Sequence, residues 1–127
     1  MTKTNKIAFL GKAGSHSDLA CRAVFKDSQT TGCISFTEVF ETVENGDADL
    51  ALIPVDNTLA GRVADVHHLL PYSPLKIIGE HFQKIEHALI GVPGAAIGEI
   101  TDVHSHVHAL PQCREIISDH NLVKHVR

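Results

Sequence analysis

Three short segments carry the side chains from which chemistry could be built. The first is Gly11-Lys-Ala-Gly14-Ser15-His-Ser17. Its two glycines let the backbone curl, and a helix capped by Ser15 or Ser17 would aim free N–H groups and its positive dipole end at an anion. A phosphate or a carboxylate would suit such a turn. The spacing is neither a Walker A loop nor the GxGxxG dinucleotide pattern, and an ordinary serine-capped turn accounts for it equally well. The second segment is Pro54-Val-Asp56-Asn57-Thr58-Leu-Ala-Gly61. Asp56 offers a base or an orienting carboxylate, while Asn57 and Thr58 can donate and accept hydrogen bonds. Following a buried strand, they would lie at its carboxyl end, where open α/β sheets take their ligands. An Asx-turn with a helix cap is the plainer alternative.

The third segment is Val103-His104-Ser105-His106-Val107-His108, with Gln112-Cys113 just beyond. On a strand its three histidines share one face, which invites a zinc reading. No Asp, Glu or Cys joins them at a familiar ligand spacing and Pro111 ends the strand pattern, so no metal is expected. Ser105 and Gln112 are the better pair: with a helix starting near His106, both sit at its ligand-facing amino-terminal end. A serine nucleophile would want a GxSxG elbow, which is missing. The remaining histidines, His67, His68, His81, His87, His120 and His125, share no spacing and read as surface or half-buried groups. Cys113 reads as a small core residue.

The elements that must hold these segments follow from hydrophobic patterning. Residues 6–10 form a short apolar strand, 18–25 a helix, 31–36 a second strand, 37–44 a helix ended by Asn45-Gly46, and 49–54 a third strand. This βαβαβ rhythm implies a parallel sheet covered by helices. After the 54–61 loop, residues 63–70 read as a short helix broken by Pro71 and Pro74. Residues 75–82 and 85–92 are both strand-like. A strand at 102–105, a helix at 110–118 and a strand at 122–126 complete the pattern. No repeat or low-complexity segment interrupts it.

Composition narrows the function classes. The 127 residues suffice for one ordinary domain, and 43% hydrophobic content can fill its core. A net charge of −4 argues against a general nucleic-acid binder. The longest uncharged apolar stretch, residues 88–98, is too short to span a bilayer. The amino terminus lacks the apolar run of a signal peptide, and three cysteines without CxxC spacing argue against a disulfide framework or a zinc finger. A reducing cytoplasm is the expected setting.

Taken in order, the three segments resemble the signatures of the prephenate dehydratases, enzymes of phenylalanine biosynthesis. The likeness rests on the Gly-x-x-Gly-Ser-His-Ser turn at 11–17, Ile53-Pro-Val-Asp-Asn-Thr-Leu-Ala-Gly61, and Ser105-His106 to Gln112-Cys113, with Gly79-Glu80 and His87-Ala-Leu-Ile90 between them. The resemblance implies an α/β, type II periplasmic-binding-protein-like architecture of two lobes, with mostly parallel sheets flanked by helices and a site in the cleft between them. The first lobe is expected at about residues 1–78 and the start of the second at about 79–127. It implies decarboxylating dehydration of prephenate to phenylpyruvate without a metal or organic cofactor. Asn57, Ser105 and Gln112 match the family's active-site polar residues. Gly11, Gly14, Ser15, Ser17, Asp56, Thr58, Gly61 and His106 would line the substrate site.

The likeness has departures. Asp56 stands where the family often has Glu, and Val107-His108 where it commonly has Pro-Gln. The family's later Thr-Arg-Phe motif, holding a favoured proton donor and a carboxylate ligand, does not occur in these 127 residues, nor does its phenylalanine-sensing ACT domain. The expectation is therefore an incomplete catalytic region, weakly active or inactive alone, that self-associates through an exposed apolar edge. A non-catalytic module binding small carboxylates is the alternative.

Overall fold

The computed structural model describes residues 5–127 and divides into two compact units. One comprises residues 5–57 together with Gly61–Lys84; the other comprises Thr58–Ala60 and Ile85–Arg127.

In the first unit, β1 (Lys6–Leu10), α1 (His16–Val24), β2 (Gln29–Cys33), α2 (Phe36–Glu44) and β3 (Leu50–Ala51) follow one another. The strands form a parallel sheet in the order β2-β1-β3, with Ala8 opposite both Thr31 and Ala51. β1 is the central strand, so both its faces are covered, and Ile7, Ala8 and Phe9 are all buried. The period of two sorts them. Ala8 packs with Cys33, Val39 and Ala48, whereas Ile7 and Phe9 pack with Cys21 and, less deeply, Phe25, Leu50 and Leu52.

Two expected boundaries shift for a local reason. Ser35 is the N-cap of α2, its Oγ accepting from the Glu38 N–H at 3.1 Å, while Glu38 Oε2 accepts from the Ile34 N–H at 2.7 Å. These two bonds commit residues 34–38 to a helix start and end β2 at Cys33. The 54–61 loop contains a two-residue hairpin, β4 (Asp56–Asn57) with β5 (Gly61–Arg62), and α3 (Ala64–Leu69) follows.

Neither 75–82 nor 85–92 forms a strand, contrary to the sequence expectation. A strand exists only through ladder hydrogen bonds, and no described strand pairs with either run. Ile77, Ile78, Phe82 and Ile90 are accordingly exposed.

The second unit is built on β6 (Asp102–Ser105) and β7 (Val123–Val126), paired in parallel through a connection ending in α4 (Arg114–Asp119). The expected 110–118 helix is split: Leu110–Cys113 is a 3-10 turn with Pro111 in its first turn, and α4 continues from it. Leu110, Ile117 and Leu122 form a small buried cluster against Ile100, Val103 and Cys113. Among the described residues, no helix is long and apolar enough to cross a membrane.

Candidate active site

The glycine turn in the first unit satisfies itself. Gly11 and Gly14 have φ of +118° and +85°, which side-chain-bearing residues rarely adopt. Gly11 N–H donates to the Cys33 carbonyl at 3.0 Å. Ser15 caps α1, its Oγ accepting from the Asp18 N–H at 3.3 Å. Asp18, only 1% exposed, places Oδ2 2.9 Å from the Gly14 nitrogen and 3.1 Å from Arg22 Nε. The anion at this helix start is thus the protein's own carboxylate. Ser17 stays half-exposed beside it.

The Gly14 N–H bond holds the Asp18 carboxyl below its ordinary range against the opposing effect of burial, and Arg22 and the nearby Thr30 hydroxyl add to the lowering. Oδ1 is buried without a hydrogen bond in proper geometry. A group titrating lower in the folded state contributes stability that is complete above its ordinary pKa and lost as pH falls through the lowered one. The Tm difference between wild type and Asp18→Asn is therefore expected to be full at pH 7 and to shrink below about pH 4. Asp18→Ala should cost about 1–2 kcal/mol at neutral pH, read by urea denaturation. A pH-independent Tm difference would remove the charge from this account. Burial, assisted by the Asp18 charge, pushes the neighbouring Cys21 thiol up to about 11, so it is no nucleophile at neutral pH.

In the hairpin, Asn57 pairs with Gly61, whose φ of +83° makes the turn, and Asp56 pairs with Arg62. His67 of α3 reaches the same strand. Its Nε2 lies 3.2 Å from the Val55 carbonyl, to which it must donate, and 3.8 Å from Asp56 Oδ1. Sequence reading missed His67 because the twelve-residue separation from Val55 has no local signature. Thr58 is exposed.

In the second unit, Ser105 is the last residue of β6, and residues 106–109 form a turn leading into the 3-10 segment that carries Gln112. Ser105 and Gln112 thus flank one strand-to-helix passage, at the carboxyl end of a parallel strand. Gln112 Nε2 donates to the His108 carbonyl at 2.7 Å, and Gln112 Oε1 lies 3.1 Å from His87 Nε2. The His108 N–H donates to His106 Nδ1 at 3.2 Å, so neutral His106 carries its proton on Nε2, available as a donor.

β6 stops at Ser105, so the three histidines do not share a strand face. His104 instead stacks on His125 of β7, ring centroids 4.5 Å apart. Arg127 Nε donates to His104 Nδ1 at 3.1 Å, and His125 Nε2 lies 2.7 Å from Asp102 Oδ1. The Thr101 hydroxyl, then His125, lowers the pKa of Asp102. Among the described residues, no three His, Cys, Asp or Glu side chains are grouped to hold a metal ion. A groove of about 800 Å³ in this unit, lined by Leu110, Pro111, Ile117 and Leu122 with Arg114 and Lys124, includes neither Ser105 nor Gln112.

Parallel strands covered by helices, with polar side chains at their carboxyl ends, define a type II periplasmic-binding-protein-like α/β protein. The family model for prephenate dehydratase matches residues 7–127, and the chain belongs to that family. It is 44% identical over 113 residues to a bifunctional N-acyl-homoserine lactone acylase/prephenate dehydratase of Komagataeibacter europaeus, covering 89% of this chain and 40% of that one. It is 37% identical over 117 residues to the bifunctional chorismate mutase/prephenate dehydratase of Escherichia coli K12, covering 89% and 30%. Among solved structures, the prephenate dehydratase of Arthrobacter aurescens in complex with L-Phe superposes with a TM-score of 0.78 at 26% identity, over 96% of this chain and 42% of that one. GqqA, described as a novel type of quorum-quenching acylase, superposes with a TM-score of 0.77 at 43% identity, over 96% and 44%. The chain therefore spans less than half the length of each of these relatives.

Proposed function

We propose that the chain serves the decarboxylating dehydration of prephenate to phenylpyruvate. The family match across residues 7–127 carries this reading. In the reaction the bond to the ring carboxylate breaks and releases CO2, its electrons complete the aromatic ring, and the ring hydroxyl leaves with a proton as water. Aromatisation supplies the driving force, so the protein has to hold a dianion and help hydroxide depart. Asn57, Ser105 and Gln112 are assigned to the carboxylates and the leaving hydroxyl, supported by their positions in the family signatures. Asp56, Thr58, Gly61 and His106 line the substrate, the last with its Nε2–H. Gly11, Gly14, Ser15 and Ser17 are likewise assigned to substrate binding, by their positions in the family signatures. With the Gly14 N–H committed to Asp18, Ser17 is the member of that turn best able to reach a ligand.

The test is phenylpyruvate formation from prephenate at neutral pH by the 127-residue chain, against a no-enzyme blank. Asn57→Ala and Gln112→Ala are each expected to lower turnover or prephenate affinity about tenfold or more, the worth of a hydrogen bond to a charged group. Wild-type behaviour in both variants would sink the assignment. A non-catalytic carboxylate-binding module is the second reading. It predicts prephenate binding without CO2 release. Because the Komagataeibacter relative's name includes an acylase, an N-acyl-homoserine lactone belongs in the same assay; its hydrolysis would move the reading to amide chemistry.

The exposed Ile77, Ile78, Phe82 and Ile90 support self-association. Sedimentation velocity is expected to show a weight-average mass that rises with concentration. A single monomer boundary up to about 100 µM, where contacts of roughly 5–6 kcal/mol would register, would contradict it.

A further inference from the structure

The Gln112 amide is held at both ends, and the chemistry of its partners fixes which end is which. The His108 backbone carbonyl can only accept, so the Gln112 atom 2.7 Å from it must be the nitrogen. The other end is then the carbonyl oxygen, which can only accept. His87 Nε2, 3.1 Å away, must therefore carry a proton. Two of the amide's four hydrogen-bonding positions are used in this way, leaving one N–H and one lone pair. A donor on Oε1 also polarises the amide and strengthens the remaining N–H as a donor.

We infer that His87 is a positioning residue: its Nε2–H fixes the Gln112 amide so that the free N–H is presented to a substrate oxygen. The inference rests on the reading of Gln112 as a prephenate ligand. His87 lies 25 residues from Gln112, in the 85–92 run that forms no strand, so a side-chain bond rather than a ladder ties it to the site. Because His87 is exposed, its replacement removes a constraint on Gln112 and little packing.

The experiment follows the Gln112 side-chain NH2 resonances of the ¹⁵N-labelled chain during a prephenate titration at neutral pH. Wild type is compared with His87→Leu, His87→Gln and His87→Asn. Gln places an amide N–H where imidazole Nε2 was, whereas Asn places it at the Nδ1 position. His87→Leu and His87→Asn are expected to move the Gln112 resonances of the free protein and to weaken prephenate about three- to tenfold, the worth of one neutral hydrogen bond. His87→Gln is expected to stay within about twofold of wild type, and all Tm values within about 2 °C, the shift left by a surface change. A wild-type prephenate response that persists unchanged in His87→Leu overturns the role of His87 alone. A wild-type chain whose Gln112 resonances ignore prephenate overturns the reading of Gln112 as a ligand, and the role of His87 falls with it.

Discussion

Phe9→Ala is expected to destabilise the first unit by about 3–5 kcal/mol, among the largest losses any single truncation in this chain can produce. Phe9 is 2% exposed on the central strand, packed with Ile7 and Cys21 on the α1 side of the sheet. Removing the ring opens the cluster that holds Cys21 of α1 and against which Phe25, Leu50 and Leu52 pack. Small domains have only about 5–15 kcal/mol in total, so the variant should lose from about a fifth to nearly all of the unit's stability. Urea denaturation followed by circular dichroism checks this, with Ile7→Val as a control expected to cost about 0.5–1.5 kcal/mol. Amide exchange localises the loss. Protection should fall across β1, β2 and α1 while the amides of β6 and β7, in the other unit, keep theirs. A loss under about 1 kcal/mol would mean the α1 face closes over the gap.

The buried strand was legible because residues 7–10 are apolar without alternation, the mark of a parallel strand covered on both faces. Its helices were legible from the same covering requirement. Ser35 is less legible: a Ser-x-x-Glu box stands in the sequence, but the β-prone residues 31–36 favour a strand. The cap prevails because it satisfies the N–H groups of Ile34 and Glu38 locally, whereas residues 34–36 have no ladder partner beyond Cys33. At 75–92 the apolar content favours strands but cannot supply the partner that makes one. Site legibility follows the same division. Ser15, Gly14 and Asp18 interact across four residues and could be anticipated as a capped turn. The bonds from His87 to Gln112 and from His67 to Val55 span 25 and 12 residues, and no periodicity encodes them.

Gly32→Ala is expected to cost about 3 kcal/mol, at the upper end of overpacking penalties, even though Gly32 lies at the surface. A Cβ built there collides with the carbonyl oxygen of Gly11 and comes within 3.4 Å of Phe9 Cζ. The Gly11 oxygen is backbone, so no rotamer change relieves the collision; β2 or the glycine turn must move. Movement of either strains the Gly11 N–H bond to the Cys33 carbonyl, which joins that turn to the end of β2. Gly14 provides the contrast, since a Cβ there meets nothing within 4 Å and only the φ of +85° resists it. Gly14→Ala should therefore cost about 1–2 kcal/mol, the penalty for a side chain in the left-handed region. The order Gly32 above Gly14 is the informative outcome of parallel urea titrations. If Gly14→Ala proves the more damaging, the turn yields readily to β2 and its conformation rather than its packing holds it. If the expected order is found, β2 is a wall against which the turn carrying Ser15 and Ser17 is set, and Gly32→Ala should also displace the amide resonances of residues 14–17.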